Sequence, residues 1–369
     1  MKKVCFFISS INLFGGTGRV CTEIANALAR LDYTVTILSF HGDKPYFELH
    51  SSIKVVKLYS KKYNFKLFLP FVILKLRQKV KKIDPDILIN VDSALFAYSF
   101  VSTKRLNIKN IVWEHFNFNV SLGASVRIWA RRLAVKHADV IVTLTSLDKN
   151  IWEKNLDCKV PITSIPNPLP FYNEIYDPNK NKVVLSVGRL TQEKGFDRLL
   201  DVWYIVKQNA TAADWQLHIV GSGELKSALE NKIDALQLNS SVQLIPATST
   251  IQDHYQDAAI YCMTSRFEGF GMVLIEAEAF GLPIVSYNCE IGPVEIIKHN
   301  HNGYLIKDGD EKSLANALLY LMDNEDERLQ MGERAFNDSA NYRVDVVIKR
   351  WLALFHYICT DHRAEHNKL

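Results

Sequence analysis

The feature that most constrains the fold of this chain is an alternation of short apolar runs with amphipathic segments, which occurs twice. In the first half, strand-like runs at residues 4–8 and 34–40 flank helical spacing at residues 19–31. After a stretch rich in Pro, Asn and Asp, residues 161–182, the pattern begins again at residues 183–187. Strands that alternate with helices in this way form parallel sheets covered by helices on both faces. We therefore predict an α/β chain of two doubly wound, Rossmann-like domains.

The domain limits follow from where this pattern breaks. A chain of 369 residues is too long for one ordinary core, so two domains are expected. We predict an N-terminal domain over residues 1–168, a linker over 169–182, a C-terminal domain over 183–342 and a closing helix over 343–369. Apolar runs such as residues 67–74 are too short for a membrane-spanning helix, which needs about 20 residues. Six scattered cysteines without paired spacing indicate neither a zinc site nor disulfides, which predicts a cytoplasmic location.

A glycine-containing turn that opens a helix stands out in the second half. It follows a predicted strand at residues 260–263, with Glu268 before the turn and Glu276 two helical turns later. The first N–H groups of a helix have no partner within the helix and favour an anion. Gly269 and Gly271 carry no Cβ, so a ligand can approach the backbone there. The stretch predicts a site for a phosphate attached to a hydroxyl-rich group.

Two further turns of the second half follow predicted strands. Arg189 and Lys194 come after the strand at residues 183–187, where two cations can hold a diphosphate. Gly221 follows the next strand in a Gly-x-Gly turn that suits close approach of a nucleotide. The alternatives are a solvated loop with a helix-capping glycine for the first turn and ordinary turn chemistry for the second.

The N-terminal glycine run, which includes Gly15 and Gly16, invites a dinucleotide-binding interpretation that fails. Cys21 stands where the third glycine of that fingerprint belongs, and no acidic residue ends the second strand. We predict instead a flexible glycine loop that faces a ligand held mainly by the other domain. His115, at the end of a predicted strand, is a candidate partner for a sugar hydroxyl or for developing charge, with a structural histidine as the alternative.

Two segments of the first half are strongly basic. Residues 54–82 contain ten Lys or Arg and no acidic residue, with interleaved aromatic residues Tyr59, Tyr63, Phe65, Phe68 and Phe71. Residues 123–137 again lack acidic residues and add the cations Arg127, Arg131, Arg132 and Lys136. Such segments predict contact with an anionic membrane surface or a lipid-linked phosphate, and a solvated basic face is the alternative. No nucleic-acid partner is predicted, because no nucleic-acid-binding signature accompanies the charge.

Together these motifs resemble family 4 glycosyltransferases of the GT-B fold, over nearly the whole chain. The most specific element is the Glu268-Gly-Phe-Gly sequence followed by Glu276 at the spacing of the family. The turn with Arg189 and Lys194 also matches, as do Pro-Asn-Pro at 166–168, Gly-Pro-Val-Glu at 292–295 and Asn-Gly-Tyr-Leu at 302–305. Within the family the chain is most similar to bacterial enzymes that build surface polysaccharides or lipid-linked oligosaccharides, including amylovoran-type transferases.

The resemblance implies a GT-B fold with a cleft between the two domains, and it implies roles for the candidate residues. Arg189 and Lys194 would bind the diphosphate of a donor, Glu276 the ribose and Glu268 the sugar. His115 would lie beside the transferred sugar, and the closing helix would cross back onto the first domain. Backbone contacts with the donor would come from Gly15, Gly16, Gly221, Gly269, Phe270, Gly271, Met272 and Val273. Glu114 and the Pro-Ala at 246–247 depart from the pattern of many relatives, so the base is left open.

The reaction implied by the resemblance is a retaining, metal-independent transfer with no cofactor. A hexose or N-acetylhexosamine would move from a nucleotide sugar, UDP-linked in our prediction, to a lipid-diphosphate-linked saccharide. The enzyme would be peripheral on the cytoplasmic face of the inner membrane, with segments 54–82 and 123–137 as its contacts. The alternatives are a sugar-nucleotide 2-epimerase, which shares the architecture, and a catalytically silent subunit that binds a nucleotide sugar.

Overall fold

A computed structural model describes residues 2–12, 15–59, 69–120, 125–178 and 180–360. The chain divides into two compact units. Unit 1 comprises Met1–Pro170 together with Val344–Leu369, and unit 2 comprises Phe171–Arg343. Each unit is a parallel sheet flanked by helices, which confirms the prediction of two doubly wound domains. Of the aromatic residues noted in the first basic segment, Tyr63, Phe65 and Phe68 lie outside the described residues.

Unit 1 is built from strands and helices that alternate along the chain. Its described strands are β1 (Lys3–Ser10), β2 (Thr34–His41), β3 (Lys54–Tyr59), β4 (Ile87–Val91), β5 (Lys109–Trp113), β6 (Val140–Thr143) and β7 (Ile162–Ser164). Its described helices are α1 (Gly16–Arg30), α2 (Leu69–Ile83), α3 (Ser93–Thr103), α4 (Ser125–His137), α5 (Ser146–Asn155) and α13 (Val344–Cys359). The element order therefore follows the periodicity of the sequence.

The sheet of unit 1 has the strand order β3-β2-β1-β4-β5-β6-β7, and all its pairs are parallel. The order reverses direction between β1 and β4, and in open parallel sheets ligands bind beside such a reversal, at the carboxyl ends of the strands. Crossovers between parallel strands are right-handed, so the reversal places α1 on the face opposite α2, α3 and α4. The closing helix α13 belongs to this unit, and its Trp351 packs against Trp113 with ring centroids 4.9 Å apart.

Unit 2 repeats the same plan with shorter strands. Its described strands are β8 (Val183–Val187), β9 (Gln216–Val220), β10 (Val242–Ile245), β11 (Ile260–Met263), β12 (Ile284–Asn288) and β13 (Gly303–Lys307). Its described helices are α6 (Phe196–Lys207), α7 (Lys226–Ala235), α8 (Ile251–Asp257), α9 (Met272–Ala279), α10 (Pro293–Ile296), α11 (Glu311–Asp323) and α12 (Glu325–Ser339). The strand order is β10-β9-β8-β11-β12-β13, with the reversal between β8 and β11.

The structure departs from the sequence-based expectation at one strand. β7 lies inside the Pro-rich stretch 161–182 that was assigned as a break, and its Ile162 pairs with Ile141 of β6. Only three residues form this strand, between Pro161 and Pro166, so the turn residues around it hid the pattern. Over the described part of the chain, no helix combines the length and the apolar character needed to cross a membrane.

Candidate functional site

The turn after β8 carries Arg189 and Lys194 at the reversal point of the unit 2 sheet. Arg189 is exposed, and Lys194 ends a short 3-10 turn, Gln192–Lys194. Gly195 follows in the left-handed region, with φ of 65°. A Cβ on Gly195 would lie 2.1 Å from the carbonyl oxygen of Thr264, so only glycine allows this approach. The turn therefore lies directly against the loop after β11, the neighbouring strand.

Two arginines that the sequence analysis did not single out fix these two loops to each other. Arg266 donates through both terminal nitrogens to the carboxylate of Asp197, at 2.8 and 2.6 Å. Arg198 donates to the carbonyl of Thr264 at 2.9 Å. Paired guanidinium–carboxylate bonds are strong and directional, and the bond from Arg266 lowers the pKa of Asp197. No feature of the sequence separates these arginines from solvated ones, so only the fold reveals them.

These contacts bring together two predicted ligand-binding side chains of opposite charge. The Nζ of Lys194 lies 2.6 Å from Oε1 of Glu268, and the hydroxyl of Ser265 donates to the same oxygen at 2.7 Å. Glu268 is buried, with 10% of its side chain exposed, and Lys194 is 21% exposed, so the pair is open to solvent mainly through Lys194. The structure thus places the predicted diphosphate cation and the predicted sugar carboxylate at one point of the sheet edge.

The backbone from Gly269 to Val273 forms the start of α9. Gly271 precedes the helix in the left-handed region, with φ of 91° and no side chain that caps the first turn. The N–H groups of the first helical residues, Met272 and Val273, have no partner within an α-helix. Phe270 is buried and packs edge-on against Tyr342, with ring centroids 5.9 Å apart. The predicted backbone donors therefore follow one another in a single turn beside Glu268.

Glu276 lies on the same helix and is largely buried. Its Oε2 accepts a hydrogen bond of 2.9 Å from the hydroxyl of Tyr255, a fully buried residue of α8. Tyr255 is held by stacking on Tyr261 and Phe280, at centroid distances of 6.0 and 5.6 Å. Tyr255 thus orients the carboxylate that we predict to bind ribose. The sequence analysis missed this residue, because nothing in its neighbourhood relates it to Glu276.

The absence of a side chain at Gly221 is needed for packing, which the sequence analysis did not foresee. A Cβ on it would lie 1.8 Å from the carbonyl oxygen of Gly188, so a side chain would separate the turns after β8 and β9. These turns are also joined by a hydrogen bond of 3.0 Å from the Leu190 N–H to the Ser222 carbonyl. The nucleotide contact assigned to Gly221 stays a prediction beside this packing role.

Gly15 and Gly16 differ from Gly221 because none of the described residues around them requires glycine. A Cβ on either would meet no heavy atom of the described part of the chain within 4 Å, and neither residue has a φ in the left-handed region. Gly16 begins α1, and the Gly15 carbonyl accepts the N–H of Arg19 at 3.1 Å. The open space beside these residues fits the predicted close approach of a ligand.

In unit 1 the loop after β5 is held by a buried ion pair. Oε2 of Glu114 accepts a bond of 3.1 Å from Nε of Arg131, and the two side chains are 0% and 3% exposed. Arg131 also donates to the carbonyls of Phe116, Asn117 and Phe118, at 3.2, 3.1 and 2.6 Å. Burial raises the pKa of Glu114, and the Arg131 guanidinium opposes that shift. The pair therefore shapes residues 114–118, and it explains why a glutamate precedes His115 in this chain.

His115 follows this glutamate and is half-buried, with its ring 4.4 Å from that of Trp113 between centroids. Its Nε2 is buried and meets no hydrogen-bond partner among the residues described. Burial lowers the pKa of His115 to about 4, against a weaker opposing effect of Asp92. The imidazole is therefore neutral near pH 7 and can donate from one nitrogen and accept at the other.

Two of the four cations that we noted in the second basic segment are buried in ion pairs. Arg131 is buried in the pair with Glu114, and Arg127 is buried with an NH2 group 3.0 Å from the carboxylate of Asp92. Both cations already neutralise carboxylates of unit 1, so neither faces an external anion. The exposed cations of α4 are Arg132 and Lys136. In the first segment, Lys57 pairs with Asp43 at 2.7 Å.

Two Asp-x-Asp sequences occur in the chain, a pattern that can hold a divalent ion. In unit 1, Asp84 and Asp86 bind the side chain and the backbone N–H of Lys3, at 2.8 and 2.7 Å. In unit 2, Asp308 accepts from Arg198 at 2.8 Å and Asp310 caps α11. Interactions within the chain thus account for all four aspartates.

Comparison with known proteins identifies relatives over nearly the full length. The chain is 30% identical to an amylovoran biosynthesis glycosyltransferase of Erwinia amylovora, over 95% of this chain and 99% of the relative. It is 26% identical to a Campylobacter jejuni N-acetylgalactosaminyltransferase that is named for a diphosphate-undecaprenol-linked GalNAc saccharide, over 96% of this chain and 98% of the relative.

Solved structures show the same fold. A crystal structure of a Staphylococcus aureus TarM variant, in complex with fondaparinux, α-GlcNAc-glycerol and UDP, matches with a TM-score of 0.81. The match covers 96% of this chain and 100% of that chain at 16% sequence identity. The fold of the chain is therefore that of GT-B glycosyltransferases, as the sequence motifs indicated.

Family models match both halves of the chain. The model described as Glycosyltransferase Family 4 matches residues 14–170, and the model described as Glycosyl transferases group 1 matches residues 173–338. The two matches correspond to the two sheets described above. With the full-length relatives, they confirm the resemblance drawn from the motifs around Glu268 and Lys194: the chain belongs to the family 4 glycosyltransferases.

Proposed function

We propose that this enzyme is a retaining glycosyltransferase of bacterial surface polysaccharide biosynthesis. It moves a hexose or N-acetylhexosamine from a UDP-sugar to a lipid-diphosphate-linked saccharide. The observation that carries the proposal is the partly exposed Lys194–Glu268 pair at the reversal point of the unit 2 sheet. It lies next to the open first turn of α9, at the sheet edge where ligands of such folds bind.

The donor site follows from these charges. Lys194 and exposed Arg189 supply positive charge for the diphosphate, and the N-terminal turn of α9 adds backbone donors. Glu268 accepts from hydroxyls of the sugar, and Glu276, oriented by Tyr255, accepts from the ribose hydroxyls. Because Glu276 is committed to ribose, it is not available as a nucleophile for the sugar.

The chemistry is a front-face substitution at the anomeric carbon. The bond from that carbon to the phosphate oxygen breaks, and a bond to the acceptor oxygen forms on the same face. The acceptor hydroxyl gives its proton to the departing phosphate, whose growing negative charge Arg189 and Lys194 stabilise. In unit 1, the neutral imidazole of His115 serves as a hydrogen-bond partner of the transferred sugar. A covalent glycosyl adduct on Glu268, trapped and found by mass spectrometry, would contradict this route.

Relatives support the choice of donor and acceptor. The TarM structure contains UDP, and the Campylobacter relative is named for a diphosphate-undecaprenol-linked saccharide. A lipid-linked acceptor lies at a membrane, so we propose peripheral association with the cytoplasmic face of the inner membrane. Because Arg189 and Lys194 supply positive charge for the diphosphate, we further propose that no divalent ion is needed. Unchanged turnover in excess EDTA would support that point, and activity restored only by Mg²⁺ or Mn²⁺ would refute it.

One assay separates this proposal from its alternatives. The protein is incubated with radiolabelled UDP-GlcNAc, UDP-GalNAc, UDP-glucose and UDP-galactose, with and without an undecaprenyl-diphosphate-linked saccharide. Label that enters the lipid only with acceptor present supports a transferase, and NMR of the product shows whether the anomeric configuration is retained. A free amino sugar formed without acceptor would indicate a 2-epimerase. Saturable binding of a UDP-sugar without turnover of any combination would indicate a silent subunit.

A further inference from the structure

Three helices of unit 1 form a contiguous outer layer. Helix α2 is joined to α3 by Arg77, which donates to the carbonyls of Ser102 and Lys104 at 2.8 and 2.9 Å. The Ser102 hydroxyl donates to the carbonyl of Ile73 at 3.1 Å. Helix α3 is joined to α4 by stacking of Phe100 on His137, with ring centroids 4.7 Å apart. We call the solvent-facing side of α2, α3 and α4 the α2–α4 face.

The charge of this layer has one sign. Helices α2, α3 and α4 carry no Asp or Glu, although the chain contains 40 acidic residues. Three of their cations, Arg77, Arg127 and Arg131, are used inside unit 1. The other six form no ion pair with any residue that the structure describes, and these are Lys75, Lys79, Lys81, Lys82, Arg132 and Lys136. A face of this kind is complementary to an anionic surface.

The same face exposes large apolar side chains. Among the residues described, 15 large apolar side chains are exposed, and seven of them lie on these three helices: Leu69, Phe71, Leu74, Val101, Val126, Ile128 and Trp129. Single exposed apolar residues are ordinary, but such a concentration marks an interaction surface. Trp129 is 55% exposed, whereas the five other tryptophans are at most 2% exposed. The tryptophan of this face is therefore an exception within its own chain.

Apolar and cationic side chains occur together on this face, and that combination decides the kind of partner. A nucleic acid offers phosphates to the cations and bases to Trp129, but it would leave aliphatic side chains such as Leu74 and Val126 without apolar contacts. A bilayer with anionic headgroups serves both classes, because tryptophan favours the membrane interface and lysine extends its charge to the phosphates. The surface differs from the two basic segments of the sequence, since Arg127 and Arg131 are absent from it.

We propose that the α2–α4 face docks on an anionic bilayer, with Trp129 and Leu74 entering the headgroup region and with the five lysines and one arginine that form no described ion pair lying against lipid phosphates. This inference rests on the proposed lipid-linked acceptor and adds the surface that meets its membrane. Docking then has two components, an apolar one that resists salt and a cationic one that salt screens.

Vesicle binding of the full chain tests the two components separately. The probe is large unilamellar vesicles of phosphatidylcholine with 30% phosphatidylglycerol, with pure phosphatidylcholine as reference. The variant Leu74→Ser/Trp129→Ser should bind about ten-fold more weakly, with most of the loss persisting at high salt. The variant Lys79→Gln/Arg132→Gln/Lys136→Gln should lose about five-fold per cation at low salt and little at high salt. Tyr204→Ser on α6, which removes an exposed aromatic residue of unit 2, is the matched control and should bind like wild type.

Fluorescence reports Trp129 directly, because the other tryptophans are buried. Emission should shift to the blue on addition of the phosphatidylglycerol vesicles, brominated lipids should quench it, and Trp129→Phe should abolish both effects. Equal binding of the wild type and both multiple variants would overturn the proposal. So would a shift seen only with an acidic protein fraction and not with vesicles, because the occupant would then be a protein.

Binding of UDP separates this inference from the proposed function. Leu74→Ser/Trp129→Ser should retain the thermal stabilisation by UDP of the wild type and lose turnover only with acceptor in vesicles. Vesicle binding without any transfer would refute the glycosyltransferase proposal and leave the docking face standing. Transfer to acceptor in vesicles at the wild-type rate by this variant would refute the docking face alone.

Discussion

Two carboxylate–cation pairs hold loops at the strand ends of this protein, and they differ in exposure. Glu114 and Arg131 in unit 1 are almost completely buried, and Arg131 also satisfies three backbone carbonyls. Lys194 and Glu268 in unit 2 are less deeply buried, with 21% and 10% of their side chains exposed, and Glu268 also accepts a hydrogen bond from Ser265. A fully buried pair is costly to break because each charge is left without water, whereas a partly exposed pair can exchange its partner for a ligand at lower cost.

The difference teaches that similar ion pairs have separate uses in the two units. The pair in unit 1 keeps the shape of the loop that carries His115. The pair in unit 2 holds next to each other the two charges that we propose bind a diphosphate and a sugar. Four substitutions test this distinction, in order of decreasing expected effect.

Breaking the buried pair should have the largest effect on stability. Arg131→Met leaves Glu114 without a counter-charge and three carbonyls without a donor. We expect the free energy of unfolding of unit 1 to fall by about 3–5 kcal/mol. Calorimetry with separate transitions for the two units measures this change. The control is Arg132→Met, the exposed neighbour on α4. Equal transition temperatures for the two variants would show that the buried pair does not hold the loop.

Neutralising the partly exposed pair should change function more than stability. Glu268→Gln removes the carboxylate that we assign to the sugar, so kcat should fall at least about 100-fold. The same change releases Lys194 from its partner, so UDP should bind about three- to ten-fold more tightly. Calorimetric titration with UDP and initial rates measure the two effects. Glu230→Gln, an exposed glutamate of α7, is the control. Weaker UDP binding by Glu268→Gln would contradict exchange of the Lys194 partner.

Removing the support of Glu276 should have a smaller effect. Tyr255→Phe deletes the hydroxyl that donates to Glu276 and keeps the stacking on Phe280. We expect about ten-fold weaker binding of UDP, because one hydrogen bond to a charged group is lost. Tyr287→Phe is the control, since its buried hydroxyl meets no partner in the described part of unit 2. If both variants bind UDP like wild type, Tyr255 does not orient the Glu276 carboxylate for binding ribose.

The smallest expected effect is a change in folding stability that comes from His115 and appears only at low pH. Its pKa is lowered to about 4 in the folded chain from a usual 6.5, so the unfolded chain takes up the proton first. Stability from this residue is complete above pH 6.5 and is lost as the pH falls towards 4. The melting temperature of the wild type should therefore fall relative to that of His115→Gln between pH 6.5 and 4, compared with their difference at pH 7.5.

A second buried group has the opposite effect of pH on stability, so the wild-type curve must be compared with that of the variant. Burial raises the pKa of Asp148 to about 6, which favours the folded state at low pH and opposes the His115 effect in the wild-type curve. Subtracting the curve of His115→Gln cancels the contribution of Asp148. A difference between the two proteins that stays constant from pH 7.5 to 4 would contradict the lowered pKa of His115.

Much of the fold could be predicted from the sequence, because hydrophobic periodicity is a local property. The strand at residues 183–187 and the helix after Gly271 follow from apolar spacing and turn residues within a few positions. The three-residue strand β7 could not be predicted, because it is stabilised by pairing with β6 and not by a pattern of its own. Local patterns carry no signal for an element that only its neighbour stabilises.

The sequence by itself determined the two parallel sheets and the chemical groups placed at their strand ends, including Lys194, Glu268 and Glu276. Those groups are recognisable because their spacing from a strand end is short. Only the tertiary structure decided their partners: Tyr255 for Glu276, Asp197 for Arg266 and Glu114 for Arg131. It also decided which cations of α4 face solvent, since charge in the sequence does not reveal burial. The physical reason is that partners far apart in sequence meet only when the strand order has been set.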